Sequence, residues 1–492
     1  MADLATLETL RFDNSYARLP EAFYAKLTPT PFSHPPYLIS FNPAAAKLID
    51  LDPEQAARPE FAGCFGGSLL PGGADPLAML YAGHQFGYYV SQLGDGRAIL
   101  LGEVRNQDGA SWDLHLKGAG RTPYSRDGDG RAVLRSTIRE YLCGEAMHGL
   151  GIATTRALCI TASKDPVWRE TVETGAMLLR MAPTHVRFGT FEVFYYRRQH
   201  EHLAKLADYV IERQFPALVG RTERYAEFFA DVVVRTAHLI AKWQAVGFAH
   251  GVMNTDNMSI VGVTLDYGPF GFMDAYDAGL ICNHSDHEGR YAFDRQPAIG
   301  LWNLSCLAQA LLPLASREAL KTGLDTYQAT FDEAYAALMR DKLGLQERRP
   351  EDGALVADFL NLLQRGRKDY TRTFRALSAV EQSTGETDPS FREWGADQAA
   401  CHAWLARYRE RLRGEGSQDA ERRARMNRVN PKYVLRNYLA QRAIERAHQH
   451  DFSEIERVLR LVADPYSEHP DMERYAEAPP NWGEHIVVSC SS

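Results

Sequence analysis

The chain has 492 residues, 45% hydrophobic and 24% charged, the composition of an ordinary globular protein with room for two or three domains or one large bilobal unit. Its formal charge is −8, from 55 Lys and Arg against 63 Asp and Glu. It carries no basic block of the kind that phosphate-backbone binding requires, so no nucleic-acid partner is expected and Arg422-Arg423-Ala424-Arg425 reads as a solvated helix face. No apolar run reaches the roughly 18 residues that mark a membrane span. The N-terminal stretch MADLATLETLRFDNSYARLP has neither a secretory-signal nor a transit-peptide pattern. The seven cysteines form no CxxC pair and no Cys/His cluster. A cytoplasmic protein with no membrane association and no structural zinc site is the expectation.

Residues 1–85 read as an N-terminal extension, with Pro-rich turns and a helical signal near 43–51. Residues 86–183 read as a small sheet-plus-helix lobe. YYVSQL, RAILLGEV and SWDLHLK are β-like and separated by GDG and NQDGA turn signals. A helix follows over 132–150, with Leu134, Ile138, Tyr141 and Leu142 on one face, and then β-like runs at 152–161 and 174–181. Residues 184–330 form a larger helical lobe, whose run RYAEFFADVVVRTAHLIAKWQAVGF predicts a long buried helix stopped at Gly247. Residues 331–492 read as a helical C-terminal extension with a helix start at Asn430-Pro431 and an extended, Pro- and acid-rich tail. The fold class is α+β.

The chemistry concentrates in HGVMNTDNMSIVGVTLDYG, residues 250–268. A loop Asp256-Asn257, a short hairpin and then Asp266-Tyr267-Gly268 follow the order in which protein kinases place a proton-accepting Asp, a metal-binding Asn and a metal-binding Asp before an aromatic and a Gly. Oxygen ligands of this kind suit Mg²⁺. The His-Arg-Asp triplet is absent and Asp256 directly precedes Asn257, which points away from an ordinary kinase. Lys117 ends a strand and can reach phosphates as a point charge, with Glu140 or Glu145 on the following helix as its partner. Gly94-Asp95-Gly96-Arg97 fits a hairpin turn or a backbone cradle for phosphate equally well. The loop GAGRTPYSRDGDGR adds Arg121, Arg126 and Arg131, and Arg180 and Arg187 flank the apparent hinge between lobes. His250 reads as structural, and Asp274 and Asp277 as weaker metal candidates than Asp266.

Long motifs in the same order resemble the selenoprotein O family of pseudokinase-like protein adenylyltransferases. They are YAGHQFG, LGDGRA, LKGAGRTPYSRDGDGRAVLRSTIREYL, RMAPTHVRFGTFE, HGVMNTDNMSI and LDYGPFGFMD, with Cys-Ser-Ser at 490–492. The resemblance implies a bilobal kinase-like fold that holds ATP in a flipped orientation and transfers AMP to Ser, Thr or Tyr hydroxyls of protein substrates. It implies phosphate contacts from Lys117, Arg180 and Arg187, with Glu140 orienting Lys117, and a nucleotide lining of Gly94, Gly96, Arg97, Asp129 and Gly130. Asp256 would accept the proton, and Asn257 and Asp266 would bind Mg²⁺ or Mn²⁺. Cys490 stands where many members carry selenocysteine, and a redox disulfide with Cys282 is the associated expectation. An ordinary phosphotransferase, a UMP transferase and a non-catalytic nucleotide-binding scaffold are the alternatives. On sequence alone, Asp266→Ala is expected to remove transfer and leave the fold largely intact.

Overall fold

Ten strands build the first part of the chain in the computed structural model, which describes residues 4–383, 391–392, 394–483 and 486–488. They are β1 (Tyr24–Lys26), β2 (Tyr37–Phe41), β3 (Leu77–Met79), β4 (Gly83–Gln85), β5 (Tyr88–Val90), β6 (Ala98–Arg105), β7 (Ser111–Lys117), β8 (Ala132–Val133), β9 (Arg156–Trp168) and β10 (Val172–Ala182). Eight form one antiparallel sheet in the order β1-β3-β6-β7-β10-β9-β2, with β8 on β10. Side chains alternate across a strand, so each central strand feeds two cores. Leu100, Ile160 and Leu178 pack with Ile138 and Leu142 of the helix Leu134–Gly149. Ile99, Leu101, Met177 and Leu179 pack on the other side with Phe61 and Phe65 of the helix Pro59–Phe65. Residues 1–85 therefore supply three strands and one covering layer of this sheet.

The run YYVSQL departs from its expected place. Phe86 and Gly87, at φ +49° and +88°, turn the chain so tightly that β5 pairs with β4 in a separate two-stranded hairpin. The chain then crosses to β6 through residues 91–97, so Gly94-Asp95-Gly96 is not a hairpin turn within the large sheet. Gly94 sits at φ +90°, and a Cβ there would lie 2.6 Å from the Tyr124 ring. The loop around Tyr124 is thus seated directly on it.

Helices dominate the rest. The helix Arg224–Val246 buries Phe229, Val232, Val233, Leu239, Ile240 and Trp243 and packs on the helices Gln296–Leu311, Arg317–Asp325 and Tyr327–Lys342. Gly247, at φ +71°, ends it, and the chain pairs β11 (Phe248–Ala249) with β12 (Gly271–Phe272). That pairing brackets residues 250–270 and holds them as one loop system.

Three C-terminal expectations change. Asn430-Pro431 does not start a helix: the Asn430 amide donates to the Lys342 carbonyl at 2.8 Å, and the next helix is Asn437–His448. Arg422 is fully buried, not solvated, with its guanidinium on Asp419 and the Val380 carbonyl. The tail folds back as a 3₁₀ turn, Pro470–Ala476, which buries Met472 and Tyr475. Tyr475 Oη donates to Glu454 Oε1 at 3.0 Å. No helix among the described residues is long and apolar enough to cross a membrane.

Candidate active site

The ends of β6, β7 and β10 face the loop system 250–270 across a cavity of about 820 Å³. Lys117 closes β7 and Arg180 lies in β10, where it pairs with His115, so the sheet register brings both cations to the same end of the sheet. Lys117 Nζ donates to Glu140 Oε2. Glu145 instead takes Arg156 through two bonds of 2.9 and 2.7 Å, which settles the choice between the two glutamates. Arg180 bridges three groups: Glu140 Oε1 at 3.1 Å, Asp266 Oδ1, and His115 Nδ1 at 2.8 Å. His115 passes the chain on through its Nε2 proton to Asp95 Oδ2 at 3.0 Å. Burial and the positive field of Arg180 lower the imidazole pKa, which fits a neutral ring with that tautomer.

Asp266 stands at φ +54°, a conformation that Asp tolerates better than most residues. Its second oxygen accepts from Arg187, and Arg187 also donates to the Asp256 carbonyl at 2.7 Å and lies over the Tyr81 ring. Burial opposes ionisation of Asp266, but Arg187, Arg180 and Lys117 overcome it and hold the carboxyl well below its ordinary value. Lys117, Arg180 and Arg187 are buried, whereas Arg97 is exposed along the same cavity.

The residues of the loop divide by partner. Asn257 Nδ2 is tied to the Val252 carbonyl at 2.9 Å, so Oδ1 is the atom with which it could hold a cation. Asp256 is buried, accepts from Gln85 Nε2 at 3.1 Å on Oδ2, and has no partner on Oδ1. Burial pushes its carboxyl up to about 7. His250 donates to the Leu265 carbonyl at 2.9 Å and so fastens the two ends of the loop system together. Asp274 is paired with Arg436, and Asp277 accepts from the Gly279 N–H; neither lines the cavity.

The Gly-rich loop reaches the same cavity with Asp129 and Gly130, and Asp129 is paired with Arg169 at 2.8 Å. Of its three arginines, Arg126 and Arg131 line the cavity and Arg121 does not. At the cavity wall the Arg131 guanidinium donates to the Thr30 and Pro31 carbonyls, each at 2.8 Å, and lies over the Phe32 ring.

A family model described as "Protein adenylyltransferase SelO" matches residues 6–463. The chain belongs to the SelO family. A relative from Myxococcus xanthus is 61% identical over 489 residues, covering 99% of this chain and 100% of its own. Relatives from Thioalkalivibrio sulfidiphilus and Thiobacillus denitrificans are 57% and 56% identical over 492 residues, covering 99% of this chain and 99% and 100% of their own. All three are named protein nucleotidyltransferase YdiU. This SelO-family chain is accordingly an enzyme of the nucleotidyltransferase class.

Two residues that brace the groups of the SelO cavity carry no motif that a sequence reading could use. His115, which joins Arg180 to Asp95, is one of several polar residues of β7, and Gln85 belongs to a hairpin remote from the loop in sequence. Only YAGHQFG, with polar residues between glycines, offered a signal. In that hairpin His84 donates to Glu192 Oε1 at 2.5 Å, and Cys306 lies close by, so the three offer metal-ligand atoms within 4.8 Å of one another. Both Glu192 oxygens are already used, the second by Thr255. Cys282 donates to the Pro269 carbonyl at 2.8 Å; Cys490 lies outside the described residues.

Proposed function

We propose that the protein transfers AMP from ATP to Ser, Thr or Tyr hydroxyls of other proteins, using Mg²⁺ or Mn²⁺, from a kinase-like bilobal fold that binds the nucleotide terminal phosphates first. The observation that carries this reading is the concentration of three buried cations, Lys117, Arg180 and Arg187, against Glu140 and Asp266. A pyrophosphate leaving group is highly charged, and buried, preorganised guanidinium groups stabilise such charge far better than solvated ones. An ordinary kinase needs its terminal phosphate at the acceptor; here a cluster of buried cations lies in the interior, which supports terminal phosphates that point inward.

The donor set fits a hard divalent cation, since Asn257 Oδ1 and the Asp266 carboxylate are both oxygens on the cavity wall. Such a cation neutralises charge on the phosphate oxygens when bound. Asp266 and Asn257 would hold the cation, and Arg180 and Arg187, which pair with Asp266, would take phosphate. The acceptor oxygen forms its bond to the α-phosphorus as the bond to the α–β bridging oxygen breaks. Pyrophosphate leaves and the hydroxyl proton passes to Asp256. Arg97, Gly94, Gly96 and the Asp129-Gly130 turn line the remainder of the nucleotide.

The test is label transfer with the full chain, comparing α-³²P-ATP, γ-³²P-ATP and α-³²P-UTP under reducing conditions. Label from the α position of ATP is expected. Label only from γ would make the protein a kinase, label mainly from UTP would make the donor UTP, and no label despite ATP binding would make it a scaffold.

Lys117→Ala should lower kcat/KM for ATP by about 10–100-fold, chiefly through KM, as expected for loss of one charge-assisted phosphate contact. Glu140 keeps Arg180 as its partner in that variant, so the thermal midpoint should move little. An unchanged KM in steady-state kinetics would remove Lys117 from the phosphate site.

Cys282 and Cys490 are proposed to form a disulfide under oxidising conditions, two thiols giving up two hydrogens to an oxidant such as oxidised glutathione. The His284 N–H donates to the Val488 carbonyl at 2.9 Å, which brings the chain just before Cys490 to the segment carrying Cys282. Non-reducing peptide mass spectrometry is expected to find the linked peptides and lower transfer in that form; their absence would sink the pairing.

A further inference from the structure

Four aromatic rings line the cavity, and three of them are already covered. Tyr81 lies under the Arg187 guanidinium, the Phe86 ring leans on Tyr291 at 5.1 Å between centroids, and Tyr124 is seated on Gly94. The fourth, Trp168, is 74% exposed, and among the described residues no ring, cation or hydrogen-bond partner meets its indole. A side chain with so much apolar surface contributes nothing to the core there, and its open face is free to take a flat apolar group.

The hairpin tip that carries Trp168 is tied down. Trp168 ends β9 opposite Val172 of β10. The next residue, Arg169, donates to the Trp168 carbonyl at 2.6 Å, to Asp129 Oδ2 and Oδ1 at 2.8 and 3.1 Å, and to the Arg131 carbonyl at 2.8 Å. Arg131 is itself anchored on the Thr30 and Pro31 carbonyls, so the tip and the Gly-rich loop are fixed together. Strand β10 sets the order of the groups. Arg180 comes last along it, Lys117 stands opposite Leu178, Ala132 opposite Ala176, and Trp168 opposite Val172. Alternate residues of a strand share a face, so Val172, and with it Trp168, looks to the same side of the sheet as Arg180. The eight residues from Val172 to Arg180 span at most about 26 Å of strand. The two side chains and an extended nucleoside triphosphate cover that length together.

We propose that Trp168 stacks on the base of the bound nucleotide and favours ATP over UTP. This rests on the reading of the cavity as a nucleotide site with the terminal phosphates inward: phosphates on Lys117, Arg180 and Arg187 send the base towards the other end, where Trp168 stands. Every base has a face that an indole can cover, but the strength differs, because bicyclic adenine overlaps the indole more fully than uracil does. Trp168 is thus a specificity-determining residue with no part in the chemical step.

The test is isothermal titration calorimetry of the full chain with Mg²⁺, for wild type, Trp168→Ala and Trp168→Phe. The ligands are α,β-methylene-ATP, α,β-methylene-UTP and inorganic tripolyphosphate. The methylene analogues cannot release pyrophosphate, so binding is read without transfer. Trp168→Ala is expected to weaken the ATP analogue by about 5–100-fold, the UTP analogue by less and tripolyphosphate not at all. Trp168→Phe keeps a ring and should recover most of the loss. The position is an exposed tip, so both variants should keep the wild-type thermal midpoint. Unchanged affinity for the ATP analogue in Trp168→Ala would overturn the proposal. So would an equal loss for tripolyphosphate, which would mean that the Gly-rich loop had been disturbed. Equal losses for the two analogues would overturn the preference for ATP. Unchanged nucleotide affinities beside a raised KM for casein in α-³²P transfer would assign Trp168 to the protein acceptor and overturn the stacking role. Wild type that binds none of the three ligands would remove the nucleotide site itself, and the proposal with it; the other failures leave that site standing.

Discussion

Asp266→Ala should lose metal-dependent transfer entirely and, with it, about 3 kcal/mol of folding stability, the low end of the cost of breaking a buried ion pair. Each oxygen of Asp266 holds a different guanidinium. Without it Arg180 keeps Glu140, but Arg187 is left with the Asp256 carbonyl and the Tyr81 ring. A buried arginine cannot shed its proton, so the charge stays and its desolvation goes uncompensated. The carboxylate side chain is 23% exposed, which argues for the low end. The stability part departs from what sequence alone suggests, because a metal ligand in a loop gives no sign of also being the counter-ion of two buried cations. Urea denaturation of both proteins measures it. Added pyrophosphate should stabilise the variant more than wild type, because phosphate supplies the missing negative charge. Transfer at the wild-type rate would remove Asp266 from the metal site, and unchanged stability would remove the ion-pair argument.

Local patterns explain which parts of this molecule could be read before its structure. The helices 134–149 and 224–246 declare themselves through apolar spacing, and β6 and β7 through β-rich runs between turn signals. Lys117, Asp256, Asn257 and Asp266 stand in short motifs whose chemistry constrains spacing along the chain, and the structure brings all four to one cavity. What the sequence concealed depends on contacts between distant segments. β1, β2 and β3 are too short to carry a periodic signal, yet they complete the large sheet. Arg131 and Arg126 look alike in a Gly-rich loop and both line the cavity; only the position of the Thr30 and Pro31 carbonyls shows that the Arg131 guanidinium is anchored. Asn430-Pro431 carries a helix-start pattern, but a buried carbonyl of Lys342 competes for the asparagine and wins. Gln85 meets Asp256 across 171 residues of chain, a separation at which no local rule operates.

The second large effect concerns Asp256, and it sets function against stability. Asp256→Asn should lower transfer by about 10²–10⁴-fold, the usual worth of a positioned general base. The same change should raise stability at neutral pH by roughly 2–4 kcal/mol. Burial lifts this carboxyl from an ordinary value of 3.8 to about 7, so the folded protein binds the proton more tightly than the unfolded chain does. The contribution of this group to stability is therefore greatest below the unfolded value, declines as pH rises, and is fully lost above about 7. Asparagine cannot ionise and escapes that loss, although its amide must still find a partner where Oδ1 has none. The wild-type rate should show the mirror image: kcat/KM falls tenfold per pH unit below about 7, as the ionised fraction of the base disappears. Thermal midpoints of the two proteins should accordingly differ at pH 8 and converge near pH 4. Midpoints that differ by the same amount at both pH values would mean that the carboxyl titrates normally in the folded protein. The acidic limb of the rate profile would then need another group to explain it.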